Sequence, residues 1–315
     1  MTIGNRAIGA PINIWNDHSD SMALRDAGWI QLYAETNQEA ADLHIQAFRL
    51  AEEISCPVMV CMDGFILTHG FELVDIPNQR QVDHWLPRFE PRQVLDPAEP
   101  VSIGAMVGPE AFMEVRYLGH HKQMRALERI PELGVAFSHF FGRASGGLLK
   151  TYRTEDAETV AVALGSVNGT IEEVVDEMRA GGHAIGSLSI KSFRPFPGAA
   201  LRVALQHARR VIVVEKSLAV GTGGMLAADV QMALSRLDTQ ILTIIAGLGG
   251  RAITKASLRQ CFEDAETERL EALTFLDLNT ELIARHLERE RQRWRSGPTA
   301  ENLLHDIGLV AAKIG

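Results

Sequence analysis

Thr159-Val160-Ala161-Val162-Ala163-Leu164 is a short, continuous run of β-branched and small apolar residues. Such a run, bounded by glycine and polar residues, reads as a buried strand. Thr170-x-x-Glu173 follows as a capping box that opens a helix over 170–179. The unit then repeats, with strands over 184–190, 211–215 and 241–246 and helices after Pro197, Gly224 and Thr254. Strands alternating with helices mean a mostly parallel sheet covered on both faces, an α/β architecture.

A similar alternation precedes it. Thr36-x-x-Glu39 is another capping box, and Ala40, Leu43, Ala47, Leu50, Ala51 and Ile54 recur at helical spacing until Pro57. Residues 58–62 read as a short buried strand. A polar, proline-rich passage over 75–109 suggests a functional excursion or a subunit contact, and a helix is predicted over much of 115–129. Composition shifts toward glycine and serine over 142–151. The expected division is therefore 1–145, 146–272 and a helical tail over 273–315. In that tail Leu278, Leu282, Ile283, His286 and Leu287 form an apolar stripe beside Arg285, Arg289, Arg291, Arg293 and Arg295. A solvated face is the default reading, and docking on an acidic partner subunit the second.

The chain has 315 residues, enough for two domains, and a formal net charge of -9, which argues against nucleic acid or an anionic membrane surface as the main partner. No apolar run reaches transmembrane length, and the start lacks a signal-peptide pattern, so a cytoplasmic protein without membrane insertion is expected. The three cysteines, Cys56, Cys61 and Cys261, match no iron–sulfur or zinc spacing, and no metal site is expected. They read as small buried hydrophobes.

Asn5-Arg6-Ala7-Ile8-Gly9-Ala10-Pro11-Ile12-Asn13-Ile14-Trp15-Asn16-Asp17-His18-Ser19-Asp20 crowds charged groups around an apolar run. Residues 7–15 read as a buried strand carrying a turn signal. Arginine suits a carboxylate, because its planar fork gives two parallel charge-assisted hydrogen bonds. From the residues alone, an ion pair between Arg6 and a neighbouring aspartate is the stronger reading. His18 is either a proton carrier or a structural hydrogen-bonding group. Asp63 and His69 flank a strand end and read as wall residues.

The same string, continued by Arg25-Asp26-Ala27-Gly28-Trp29, resembles the α subunit of the pyruvate:ferredoxin oxidoreductase family. Gln38-Glu39-Ala40, the stretch from Pro57 to His69, Glu155-Asp156-Ala157-Glu158, Phe193-Arg194-Pro195-Phe196-Pro197 and Gly247-Leu248-Gly249-Gly250-Arg251 continue the likeness in the family's order. It implies two parallel-sheet α/β domains: part of a thiamine-diphosphate pyrimidine-binding-like domain, then a domain similar to the C-terminal domain of transketolase.

The implied activity is oxidative decarboxylation of a 2-oxo acid, pyruvate favoured, with electrons passed to ferredoxin and the acyl group to coenzyme A. A branched-chain 2-oxo-acid enzyme is the alternative within the class, and a non-catalytic assembly subunit the alternative outside it. Thiamine diphosphate with Mg2+ and [4Fe–4S] clusters are implied for the complex, held mainly by partner chains. Those partners are a thiamine-binding β-type subunit, a ferredoxin-like iron–sulfur subunit, a γ-type subunit and ferredoxin. By resemblance Arg6 lies against the substrate carboxylate, and Asn16, Asp17, His18, Asp20, Asp63 and His69 are substrate-pocket candidates; no cofactor-binding residue is assigned.

In the family, the glutamate that meets the cofactor's aminopyrimidine ring lies before the Asn-Arg-Ala segment. Only four residues precede Asn5 here, and the first glutamate, Glu35, is a poor substitute. The resemblance therefore implies that this half is a separate chain, that the start is misassigned or cut, or that catalysis has been lost. Obligate association is expected. Gly247-x-Gly249-x-x-Ala252 also matches a dinucleotide fingerprint, but that reading needs a second strand ending in an acidic residue. Glu266, Glu268 and Glu271 fall in a charged, helix-like stretch instead. In relatives an aspartate stands at the position of Ala252, which leaves the role of Arg251 open.

Overall fold

The computed structural model describes residues 1–91, 93–291 and 299–309. Strand β1 (Thr2–Asn5), helix α1 (Ser19–Met22), strand β2 (Ile30–Tyr33), helix α2 (Asn37–Ile54) and strand β3 (Val58–Asp63) build the first sheet and its cover. β3 lies between β1 and β2 and is parallel to both. Thr36 caps α2 by accepting from the Glu39 amide at 3.1 Å, and Glu39 reaches back to the Glu35 amide at 2.8 Å. Ala40, Leu43, Ala47, Leu50 and Ile54 turn inward, as their spacing requires.

The strand expected over 7–15 is absent: the ladder is made by β1, and the chain leaves it irregular after Asn5. Gly9 and Pro11 deny a regular ladder, since proline lacks an amide donor. Ile8, Ile12 and Ile14 are exposed, Ile12 to 88%.

Helix α3 (Gln79–Trp85) interrupts the polar passage, and helix α4 (Phe112–Phe141) is longer than expected, continuing through Pro131. Proline forfeits one backbone bond. Burial of Ile130, Leu133 and Phe137 against α2 and Trp85 offsets the loss and carries the helix onward. The first half is bare, with Phe112, Met113, Val115, Tyr117 and Leu118 exposed.

The second sheet comprises strands β4 (Leu149–Tyr152), β5 (Thr159–Ala163), β6 (Ile185–Ile190), β8 (Arg210–Glu215), β9 (Gln240–Ile245) and β10 (Leu273–Phe275), with helix α5 (Val167–Ala180) after β5. Strand β7 (Ser192–Arg194) follows β6, helix α6 (Gly198–Leu205) precedes β8, helix α7 (Met225–Leu234) follows it, and helix α8 (Lys255–Glu266) follows β9. The order is β10-β9-β8-β5-β6-β4, all parallel except β4 on its edge. Val160, Val162, Val211 and Val213 face α6 and α7, while Ala161, Ala163, Ile212 and Val214 face α5 and α8. This is the period-two alternation of a sheet buried on both sides.

The core against α6 and α7 also takes in Tyr33, Met59 and Cys61 of the first sheet. β7 binds the halves further: it leaves the second sheet after Lys191 and pairs antiparallel with β2.

Two expectations in this half need correction. Helix α5 starts at Val167, so Thr170 lies inside it and caps nothing. The run expected to stay helical after 266 instead turns into β10, because Leu273 to Phe275 find the open edge of β9. The tail carries helix α9 (Thr280–Glu290) and helix α10 (Thr299–Asp306). Leu278, Ile283 and Leu287 of the expected stripe are exposed and His286 is buried; Arg293 and Arg295 lie outside the described residues.

Candidate functional site

In the second sheet the chain moves from β5 to β6 on one side, then crosses to β8 on the other. The strand order therefore reverses between β5 and β8, where parallel α/β sheets form a crevice beyond their carboxyl ends. Asp63, at the end of β3 and fully buried, enters it from the first sheet.

The Asp63 carboxylate is surrounded by donors. His18 Nε2 donates to Oδ1 at 2.6 Å; Lys216 Nζ, just after β8, donates to Oδ2 at 2.5 Å. The Ser166 amide at the head of α5 adds a bond at 2.9 Å, and its hydroxyl donates to the same oxygen. Burial would raise the carboxyl's pKa, but Lys216 and His18 outweigh it and hold the group well below the usual carboxylate range. Asp63 is thus a fixed anion with no exposed surface, not the wall residue expected.

The segment preceding α1 is laid over the second domain. The His18 amide donates to the Lys216 carbonyl at 2.8 Å, the Gly250 amide to the Asn16 carbonyl at 3.1 Å, and Asn13 Nδ2 to the Gly249 carbonyl at 3.2 Å. Glycine is required in that turn: Gly250 has φ +85°, and a Cβ there would stand 2.4 Å from Trp15 Cβ. The turn lies in a β9-α8-β10 unit whose last strand leads toward Asp277, a context the sequence pattern did not reveal. Its close approach is nevertheless to Asn13 and Trp15 rather than to a pyrophosphate. The head of α8 is capped by Thr254, which accepts from the Ser257 amide at 3.1 Å. Arg251 donates to the Asp277 carbonyl.

At its other end the segment is tied to the first sheet. The Gly64 amide donates to the Asn5 carbonyl at 3.0 Å, and Asn5 Nδ2 donates to Asp20 at 2.8 Å and to Ser21 Oγ at 2.7 Å. Asp20 also accepts from the Arg6 amide at 3.0 Å. The expected Arg6–aspartate ion pair is therefore a backbone contact. The guanidinium itself is exposed and takes no hydrogen bond or ion pair among the described residues.

The other candidates divide. Asn16, Asp17 and His18 are buried supports, Asp17 accepting from the Ser19 amide at 2.8 Å. Both polar atoms of the Asn16 carboxamide are unpartnered among the described residues, and the residue borders a cleft of about 310 Å3 with Ser166, Thr170 and Lys216. His69 is exposed and stacks on Phe65 at 4.8 Å, and Phe65 meets Trp15 at 5.6 Å. Lys216 and Ser166 were not anticipated; the signal was a lysine and a serine placed directly after strands that turn out to be neighbours.

A second charged cluster joins the domains. Lys191, between β6 and β7, meets Glu39 at 2.6 Å and Glu35 at 2.9 Å, while Lys150 meets Glu35 at 3.2 Å. Burial would raise the Glu35 pKa, but Lys191 and Lys150 bring it below its ordinary value.

Comparison with known proteins fits this geometry. Residues 1–134 match the thiamine diphosphate-binding domain of pyruvate flavodoxin/ferredoxin oxidoreductase, and residues 157–258 match core domain II of pyruvate:ferredoxin oxidoreductase. The chain is 41% identical to pyruvate synthase subunit PorA of Methanosarcina barkeri, covering 90% of this chain and 73% of that one. It is 42% identical to the PorA of Methanothermobacter thermautotrophicus, covering 89% and 73%. Ketoisovalerate oxidoreductase subunit VorA of Pyrococcus horikoshii is 34% identical, covering 82% and 67%. The fold is shared with 2-oxoglutarate:ferredoxin oxidoreductase of Magnetococcus marinus, solved with 2-oxoglutarate, coenzyme A and succinyl-CoA, at a TM-score of 0.55 and 14% identity, covering 83% of this chain and 47% of that one.

Proposed function

The chain belongs to the pyruvate:ferredoxin oxidoreductase family, and from that premise we propose that it works as the α-type subunit of a thiamine-dependent pyruvate synthase. The reaction converts pyruvate, coenzyme A and oxidised ferredoxin reversibly into acetyl-CoA, carbon dioxide and reduced ferredoxin. One observation carries the chain's own part: Arg6 has its backbone pinned by Asp20 while its exposed guanidinium is left unpaired among the described residues. That cation binds the pyruvate carboxylate through charge-assisted hydrogen bonds and offsets its desolvation until it leaves as neutral carbon dioxide. Asp20 holds Arg6, Asn16, Asp17 and His18 support the segment, and His69 belongs to the rim. Identities of 41 and 42% to pyruvate synthase subunits, against 34% to the ketoisovalerate relative, favour pyruvate over branched 2-oxo acids.

Thiamine diphosphate, when bound in the complex, supplies the nucleophilic carbon and the electron sink. Glu35 does not fit the role of the acid that meets the aminopyrimidine ring, since Lys191 and Lys150 face its two oxygens. Among the described residues no group of three or more His, Cys, Asp or Glu side chains could hold a metal ion. We place this chain on the substrate side of the site through Arg6. We assign the cofactor's ring contacts, its Mg2+ and the [4Fe–4S] clusters to partner chains: a thiamine-binding β-type subunit, a ferredoxin-like subunit and a γ-type subunit, with ferredoxin as electron carrier. Residues 1–145, 146–272 and 273–315 are taken as pyrimidine-binding-like domain, transketolase C-terminal-like domain and tail. No helix among the described residues is long and apolar enough to cross a membrane, and the cytoplasm is the proposed location.

The test is purification through a C-terminal tag, with native mass spectrometry of the complex and pyruvate- and CoA-dependent reduction of a viologen dye. Arg6→Met is expected to raise the KM for pyruvate about tenfold to a hundredfold, the loss of a charged hydrogen bond, with assembly intact. An unchanged KM would remove Arg6 from the site. Recovery of this chain without partners would overturn the subunit reading, and a complex in which no associated chain carries the pyrimidine-site glutamate would favour a non-catalytic assembly role.

A further inference from the structure

We propose that Lys216 and Asp63 are positioning residues for the 2-oxo-acid carboxylate site: through them the second domain sets the segment that presents Arg6. The inference rests on the role given to Arg6 above. Asp63 is 0% exposed, and Lys216, 2% exposed at the edge of the cleft, directs its ammonium at Asp63 and Ser166.

Between the end of β1 and the start of α1 no regular element fixes the backbone. Its path is set by its fastenings, and these come in two groups. Around Arg6 they are local, from the Arg6 amide to the Asp20 carboxylate and from the Ile8 amide to Ser19 Oγ at 3.3 Å. From Asn13 to His18, the hydrogen bonds that reach beyond the segment and α1 go, among the described residues, to the Gly249 carbonyl, the Gly250 amide and the Lys216 carbonyl, all in the second domain, and to the Asp63 carboxylate in the first.

Asp63 ties these together. It receives His18 from the segment and Lys216 and Ser166 from the second domain, so a shift of the domain is felt by His18 through one rigid carboxylate. His18 stands two residues before Asp20, whose carboxylate fixes the Arg6 amide. A path thus runs from the β8 end of the second domain to Arg6 through the Lys216–Asp63 and His18–Asp63 bonds, the backbone from His18 to Asp20, and the Asp20 contact with the Arg6 amide. An interaction that only shapes the binding surface should appear in substrate affinity, and displacement of a binding group by about 1 Å is enough to cost an order of magnitude or more.

The experiment uses the complete complex, with assembly checked by native mass. Lys216→Met is expected to raise the KM for pyruvate about fivefold to tenfold with kcat changed less than about twofold, and Lys216→Arg to recover most of the loss. The double variant Arg6→Met/Lys216→Met should be no worse than Arg6→Met alone, because the lysine acts through the arginine. Effects that multiply in the double variant, or an unchanged KM in Lys216→Met while Arg6→Met is impaired, overturn the proposal and leave the Arg6 reading standing. An unchanged KM in Arg6→Met removes both. Should Lys216→Met fail to assemble, Ser166→Ala removes another donor from the same carboxylate while keeping its charge pair. A smaller rise in KM is expected there, absent again in the Arg6→Met background, and no rise overturns the proposal.

Discussion

Asp63 Oδ2 and Lys216 Nζ lie 2.5 Å apart inside the crevice where the second sheet reverses its strand order, 153 positions apart in sequence. In many α/β proteins that crevice receives a ligand. Here it receives a carboxylate of the same chain, and an anion-attracting place at the head of a helix becomes a joint between domains.

The joint should be acid-labile. The folded pKa of Asp63 is depressed, so its stabilisation is complete above the unfolded value of about 3.9 and is lost as pH falls below that value toward the folded one. Melting temperature from about pH 6 to about pH 3 should therefore fall less steeply in Asp63→Asn than in the parent. Parallel curves would show that the carboxylate contributes nothing of this kind.

Glu215 closes the start of α7 by accepting from the Met225, Leu226 and Ala227 amides at 2.8, 2.9 and 3.2 Å. A Cβ on Gly224 would stand 2.0 Å from Glu215 Oε1. Gly224→Ala should cost about 2–4 kcal/mol, since it displaces a buried carboxylate from its donors. Urea unfolding reads the loss, and a midpoint equal to the parent's would refute it.

Lys191 stands against two glutamates with its side chain 4% exposed. Removing one partner of such a cluster leaves buried charge uncompensated, so Lys191→Met should destabilise by about 3–5 kcal/mol. Adding Glu39→Gln should return part of that. A second substitution that only adds to the damage would show that shape, rather than charge, governs the site.

The thiols should react in a fixed order. Burial pushes the Cys261 thiol up to about 11, helped by Asp264 and Asp277, and pushes Cys61, wholly inside the first sheet, higher. Cys56 is only half-buried, and its smaller upward shift is burial opposed by Lys122. Thiolate is the reactive form, so a disulfide reagent at mildly alkaline pH should label Cys56 first and leave the other two until denaturant is added. Early labelling of Cys61 would contradict the sheet's closure.

Much of the second sheet was legible because β5, β8 and β9 carry largely apolar runs, the pattern a doubly covered strand demands, while in β6 Ile185, Leu188 and Ile190 stand among small residues. β10 was hidden: Leu273 to Phe275 follow a charged stretch and become a strand only because β9 offers an edge. The opposite error came from residues 7–15, whose apolar side chains imitate a buried strand although Ile8, Ile12 and Ile14 are exposed. The proposed role of Arg6 starts from a motif visible in the sequence. Its support was not visible there, since Lys216 meets Asp63 only through a strand order that no local periodicity encodes.

Strand β7 has a further consequence for how the molecule is made. β2 appears early in synthesis, yet the neighbour that pairs with it antiparallel, Ser192 to Arg194, arrives only after β5 and β6. The amino-terminal sheet therefore waits with an open edge while β4, β5, α5 and β6 of the following domain are translated, and its closure is a long-range event of the slow kind. Folding of the two halves is interleaved on the ribosome rather than sequential, and a chain cut between them would lack the strand that seals the first.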